Sequence, residues 1–146
     1  MTRSFKEIWD TINTEMLKVK NTDSRVWNVY NYDVKIEWWI NMPAIIITPT
    51  NWTEEILDSC CNWISFNYSV RVIDSIQDWI STAENNIREL ADLVLERLKD
   101  ISTITRTVWN WSTLDLTFDY IFGWADTQEP IRVFEITCKF NWIENK

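Results

Sequence analysis

From Ile64 to Val72 apolar and polar residues alternate without a break, Ile64, Phe66, Tyr68, Val70 and Val72 against Ser65, Asn67, Ser69 and Arg71. A period of two puts the first set on one face of a sheet and the second on the other. The strand this predicts has one dry face and one small, polar face. Just upstream, Pro43 to Pro49 is a short β-branched run with a proline at each end. Proline can neither continue a helix nor donate to a central ladder. The run therefore reads as a buried strand that stops at Pro49, followed by a polar turn around Thr50 to Glu54.

Elsewhere the period lengthens. Phe5, Ile8, Trp9, Ile12, Met16 and Val19 recur at helical spacing behind a capping box of Ser4 and Glu7, which predicts a helix from about Phe5 to Lys20 and a loop from Asn21 to Arg25. Its apolar stripe needs a partner, and a sheet face supplies one. A second box, Ser81 and Glu84, precedes Ile87, Leu90, Ala91, Val94 and Leu98; Leu93 and Leu95 widen that arc.

Three further segments read as extended. Tyr30, Tyr32, Val34, Ile36, Trp38 and Ile40 alternate with polar residues until Trp39 breaks the rhythm before Pro43, where the chain is expected to turn. Residues 108 to 122 run through Trp109, Trp111, Leu114, Leu116, Phe118 and Tyr120, with room for a bulge between Trp111 and Leu114. After an expected loop from Gly123 to Glu129, Ile131 to Phe140 places Phe134, Ile136, Cys138 and Phe140 on one side. The order of helix, strands, helix and two strands predicts an α+β fold. In it two amphipathic helices pack on one face of a mainly antiparallel sheet.

The length of 146 residues fits a single domain over 1–146. No run approaches the roughly 18 apolar residues of a membrane span. The N-terminus also lacks the apolar centre of a signal peptide, so a reducing cytoplasm is the expected setting. Cys60, Cys61 and Cys138 form no C-x-x-C pair and read as buried small hydrophobes. In that setting Asn51-Trp52-Thr53, Asn67-Tyr68-Ser69 and Asn110-Trp111-Ser112 are chance matches to the glycosylation pattern.

Charge and missing residue types narrow the function. A net charge of −8 speaks against a sequence-independent nucleic-acid binder, whose affinity comes from Lys and Arg on phosphates. There is no histidine, and Gly123 is the only glycine. Ser-His or Cys-His catalysis, histidine metal sites and glycine-rich phosphate loops are thereby excluded. Asp115, Asp119 and Glu135 could converge across the last two strands to do acid-base work or hold Mg²⁺. No lysine pattern or second acidic cluster accompanies them, and a solvated face explains them as well. The expectation is a protein that is not an enzyme and carries no cofactor.

Eleven tryptophans are the odd feature. They could stack on sugars or bases, but most lie in phase with apolar neighbours, as core anchors and subunit interfaces do. Trp39, Trp52, Trp79 and Trp124 fall near expected turns and are the candidates for exposure or a subunit contact, together with Asp126 beside Trp124.

The succession of an N-terminal amphipathic helix, Pro-Ala-Ile-Ile-Ile-Thr-Pro, Asn-Tyr-Ser-Val-Arg-Val-Ile, the helix Asn-Asn-Ile-Arg-Glu-Leu-Ala-Asp-Leu-Val-Leu-Glu-Arg-Leu and the closing Glu-Pro-Ile-Arg-Val-Phe-Glu-Ile-Thr-Cys-Lys-Phe resembles the tail terminator proteins of long-tailed bacteriophages. The likeness runs from Phe5 to Phe140 as a pattern of elements. It implies a virion structural subunit of the tail or neck, assembled in the host cytoplasm as a homo-oligomeric ring, usually a hexamer. Such a ring ends polymerisation of the tail tube and joins the head-completion or connector protein. Its partners would be other copies of itself, the tail tube protein and the connector protein; DNA would pass without specific binding, and no membrane is involved. A channel through so acidic a protein should be acid-rich or neutral, which keeps phosphates off its wall. The alternative from another class is a Trp-rich carbohydrate-binding module, against which the two helices speak.

Overall fold

In the computed structural model, which describes residues 5–32, 41–56, 61–75, 80–108, 115–125 and 131–145, the chain begins with helix α1 (Phe5–Thr22). Ile8, Ile12, Met16 and Val19 are buried along it, as the spacing requires. The helix outruns its expected end at Lys20. Thr22 Oγ1 donates to the Lys18 carbonyl at 2.8 Å and the Asp23 amide to that of Val19 at 2.9 Å, so two terminal carbonyls find partners. Ser4, the expected cap, lies outside the described residues.

Strand β1 (Asn28–Tyr30) follows and the chain bends at Asn31 and Tyr32, two residues into the segment expected to stay extended from Tyr30. Asp33 to Ile40, with Trp39, lies outside the described residues. Strand β2 (Ala44–Ile56) does not stop at Pro49, and the turn expected at Thr50 to Glu54 is strand instead. Pro49 stands opposite Tyr68 and Asn51 opposite Asn67, which leaves Thr50 as an extra residue in a β-bulge. A bulge is one of the few places where a strand accommodates proline, because the ladder is already interrupted there. β2 also pairs on one side only at this point, so the missing proline N–H leaves no described neighbour unbonded.

Strand β3 (Cys61–Ser75) is the long returning strand, with Ile64, Phe66, Tyr68, Val70 and Val72 all buried in the expected phase. Helix α2 (Ile80–Val108) starts one residue before Ser81, which places that serine inside the first turn instead of at the cap. Neither glycine nor proline interrupts it, and Ile101 carries the buried stripe one turn past Leu98. Val108 is consequently helical where a strand was expected, and Trp109 to Leu114, with the expected bulge, lie outside the described residues. Strand β4 (Asp115–Ala125) includes Gly123, Trp124 and Ala125, expected to be loop, because they continue the ladder opposite Val133, Arg132 and Ile131 of β5 (Ile131–Asn145).

The strands form one sheet in the order β1-β2-β3-β5-β4. β1 lies parallel to β2 and every other pair is antiparallel. The α+β architecture thus stands as the periodicity predicts. Both helices cover one face: Ile12, Met16, Leu90, Val94 and Leu98 pack with Ile45, Ile47, Val70, Val72, Ile136, Cys138 and Phe140 in one cluster. Each such side chain stabilises the fold by about 1.5 to 3 kcal/mol through burial. Tyr68 is fully buried too, and its hydroxyl donates to the Phe5 carbonyl at 2.6 Å, which ties the start of α1 to β3. The opposite face is polar only in part. Ala44, Ile46, Ile73 and Ile131 form a second buried cluster there, with Tyr30, Met42 and Val133 against it.

Candidate interaction surface

The bulge at Thr50 decides which way Trp52 faces. Before it, odd-numbered residues of β2 (Ile45, Ile47) point toward the helices; after it, the pairing of Trp52 with Phe66 puts even-numbered residues on that side. The Trp52 ring stacks on Phe5 at 5.5 Å with 11° between planes and meets Phe66 edge-on at 4.9 Å. Phe5 in turn stacks on Tyr68 at 4.8 Å. The outermost ring of this stack is still 56% exposed, and its Nε1 donates to Glu54 Oε1 at 3.3 Å. Trp52 is therefore a strand residue rather than a turn residue, half anchored and half offered to a partner.

The other candidates do not gather around it. Trp124 lies within β4, where register places it on the helix side level with Arg132 and Asp74. Trp39, Trp79 and Asp126 lie outside the described residues. The periodicity gave no reason to single out Trp27 or Ile56, yet they are 61% and 72% exposed. Both flank residues whose environment only pairing defines: Trp27 donates its backbone N–H to the Pro43 carbonyl at the start of β2, and Ile56 ends that strand.

The sheet edges are the larger feature. β1 covers β2 from Ala44 to Ile46, and β4 pairs with β5. Among the described residues, no strand adjoins β2 from Ile47 to Ile56 on that side, or β4 along its outer side. Thr50 to Ile56 are all exposed. Rows of residues also cross the helix-free face: Thr48, Ser69, Thr137 and Asp119; Asn51, Asn67, Lys139 and Thr117; Thr53, Ser65, Asn141 and Asp115. Asp115, Asp119 and Glu135 do share this face, but Glu135 stands opposite Arg71, and between the two aspartates the rows carry hydroxyls, amides and Lys139. Among the described residues, no three Cys, Asp or Glu side chains are grouped to hold a metal ion.

Titratable groups with displaced equilibria lie elsewhere. Asp74 is buried on the helix side and accepts from Asn86 Nδ2 at 3.1 Å; burial raises its pKa above the usual carboxylate value. The Arg25 guanidinium, bonded to Asp23 at 2.6 Å and to Glu89 at 2.7 Å, holds the Asp23 carboxyl below that value. Burial pushes the Cys138 thiol up to about 12, as expected for a packing residue rather than a nucleophile. Asp74 thereby ties α2 to the sheet, and Arg25 ties the turn after α1 to α2. No described helix is long and apolar enough to cross a membrane. No family model matches the chain, and no curated protein is similar enough to it to count as a relative.

Proposed function

We propose that this protein is a virion structural subunit that assembles as a ring at the head-proximal end of a phage tail tube, ends tube polymerisation and joins the head connector. The observation that carries the assembly part is that, among the described residues, no strand adjoins the sheet at either side, along β2 beyond Ile46 or along the outer side of β4. A long uncovered edge is a template for another strand, and two different edges on one subunit allow the heterologous contacts from which rings close. The tail context rests on the family resemblance of the sequence. The charge on the helix-free face agrees with a channel that does not hold DNA: Arg71 and Lys139 stand against Glu55, Glu135, Asp115 and Asp119.

The carbohydrate-binding reading fares less well. Sugar platforms need neighbouring indoles, but among the described residues the two exposed ones lie apart: Trp27 at the Pro43 end of β2 and Trp52 nine residues further along it. At about 3.3 Å per residue the two are roughly 25 to 30 Å apart.

The test is the oligomeric mass of the purified protein, followed by electron microscopy alone and with tail tubes, alongside Trp39→Ala and Trp124→Ala variants. A ring seated at one end of the tube is the expected result. Strictly monomeric protein that never locates to a tube end, or a ring whose channel is lined with Lys and Arg, overturns the proposal.

A further inference from the structure

We infer that the exposed face of the Trp52 indole, with the Glu54 carboxylate at its edge, is a docking site for an arginine side chain of a basic partner protein. Both residues belong to one copy, so the site goes beyond the ring reading and does not depend on it.

Ring geometry is the first reason. Phe5 stacks on Tyr68 at 4.8 Å and on Trp52 at 5.5 Å, so Trp52 ends a run of near-parallel rings. Phe66 lies 5.0 Å from Phe5 and 4.9 Å from Trp52, edge-on to both. Being equally far from the two, it stands beside the pair and not beyond Trp52. Among the described residues these are the ring contacts of Trp52, and the face turned away from Phe5 carries no ring. The side chain is 56% exposed yet held in place, so a planar group that lands on it finds the platform already ordered.

Glu54 is the second reason. Its Oε1 accepts the Trp52 Nε1–H at 3.3 Å, which sets the carboxylate beside the ring edge. One indole N–H uses one of about four acceptor positions on a carboxylate. Glu54 is exposed and, among the described residues, makes no ion pair. Lys6, beside Phe5 in the sequence, is held instead by Asp10 at 2.6 Å.

These two features together select the ligand. A guanidinium is planar, stacks on aromatic faces, of which indole is the best, and offers N–H donors to a carboxylate from the same plane. A lysine ammonium brings the charge without the plane. A nucleotide brings the plane, but its phosphate would meet Glu54, Glu55 and a net charge of −8. Among the described residues, Arg25, Arg88, Arg97 and Arg132 already face carboxylates of their own copy, and Arg71 stands opposite Glu135. The arginine therefore belongs to a different, basic protein, which the acidic chain attracts. Ile56, 72% exposed and on the same side of β2 as Trp52 and Glu54, gives a neighbouring side chain of that partner an apolar contact.

The experiment is fluorine NMR of protein labelled with fluorotryptophan, with the Trp52 and Trp27 signals assigned from Trp52→Phe and Trp27→Phe. The probes are N-acetylarginine amide, N-acetylcitrulline amide, which keeps the plane and loses the charge, and cellotriose. The expected result is a saturable shift of the Trp52 signal with the arginine probe while the Trp27 signal stays in place. Citrulline and cellotriose should give none, and Glu54→Gln should raise the arginine midpoint roughly two- to fivefold. No saturable shift at the solubility limit of the arginine probe overturns the proposal. So does an equal shift with citrulline, or an arginine midpoint unmoved in a Glu54→Gln protein that unfolds with the parent. A saturable shift with cellotriose alone overturns it in favour of a sugar site.

Discussion

The rings of Phe5 and Trp52 lie parallel, 5.5 Å apart at 11°, although one opens the first helix and the other sits on a strand that the sequence reads as ended. The stack exists because Thr50 is an extra residue: without a change of phase, Trp52 would point to the helix-free face. Trp52→Ala removes this stack and the edge contact with Phe66 and should cost about 1 to 2 kcal/mol. Trp52→Phe should recover part of it. Denaturant unfolding of the three proteins checks the order; a Trp52→Ala midpoint equal to the parent's would mean that the stack contributes nothing.

Phe66 is buried at the centre of the same aromatic group, with Phe5 edge-on at 5.0 Å. Phe66→Ala should therefore destabilise by about 3 to 5 kcal/mol. Its neighbour Asn67 faces the other way, opposite Asn51 and Lys139, and Asn67→Ala should cost less than about 1 kcal/mol. Comparable losses for the two variants would put β3 in the wrong phase.

Asp74 supplies a pH dependence. Its folded pKa is raised above 3.8 by burial, so the folded state binds its proton more tightly than the unfolded state. The stabilisation from that proton is complete below pH 3.8 and is lost as pH rises through the folded pKa. Asp74→Asn cannot ionise. Thermal midpoints measured against pH should show the parent losing ground to this variant across that interval, and parallel curves would remove the effect from Asp74.

Arg25 works with the opposite sign. Its bonds to Asp23, Asn86 and Glu89 hold the turn after α1 to α2, with the guanidinium one-third exposed and Glu89 largely exposed. Arg25→Ala should cost about 1 kcal/mol near neutral pH, since exposed pairs are screened. The depressed Asp23 pKa contributes stability that is present above 3.8 and lost as pH falls through its folded value. The gap between parent and variant should accordingly close in acid, and a gap that widens there would contradict the assignment.

Local rules settle much of this molecule. The stripe from Ile8 to Val19, the stripe from Ile87 to Leu98 and the alternation from Ile64 to Val72 each had one way to be buried, and all three are buried that way. Together they determine the α+β class and the face that the helices cover. Element ends were less legible because they depend on partners far along the chain. Pro49 reads as a stop, but β3 already offers a ladder to both sides of it and a one-residue bulge costs less than abandoning the pairing. Gly123 and Trp124 read as loop for want of alternation, and β5 draws them into the sheet. The interaction surface is the extreme case. Position in the sequence singled out the exposed Trp52 but not the exposed Trp27, and a sheet edge is a property of strand order. Only the tertiary structure decided that, among the described residues, β1 covers β2 no further than Ile46 and β4, the fourth strand in the chain, lies outermost, because backbone pairing over such distances leaves no periodic trace in the residues that make it.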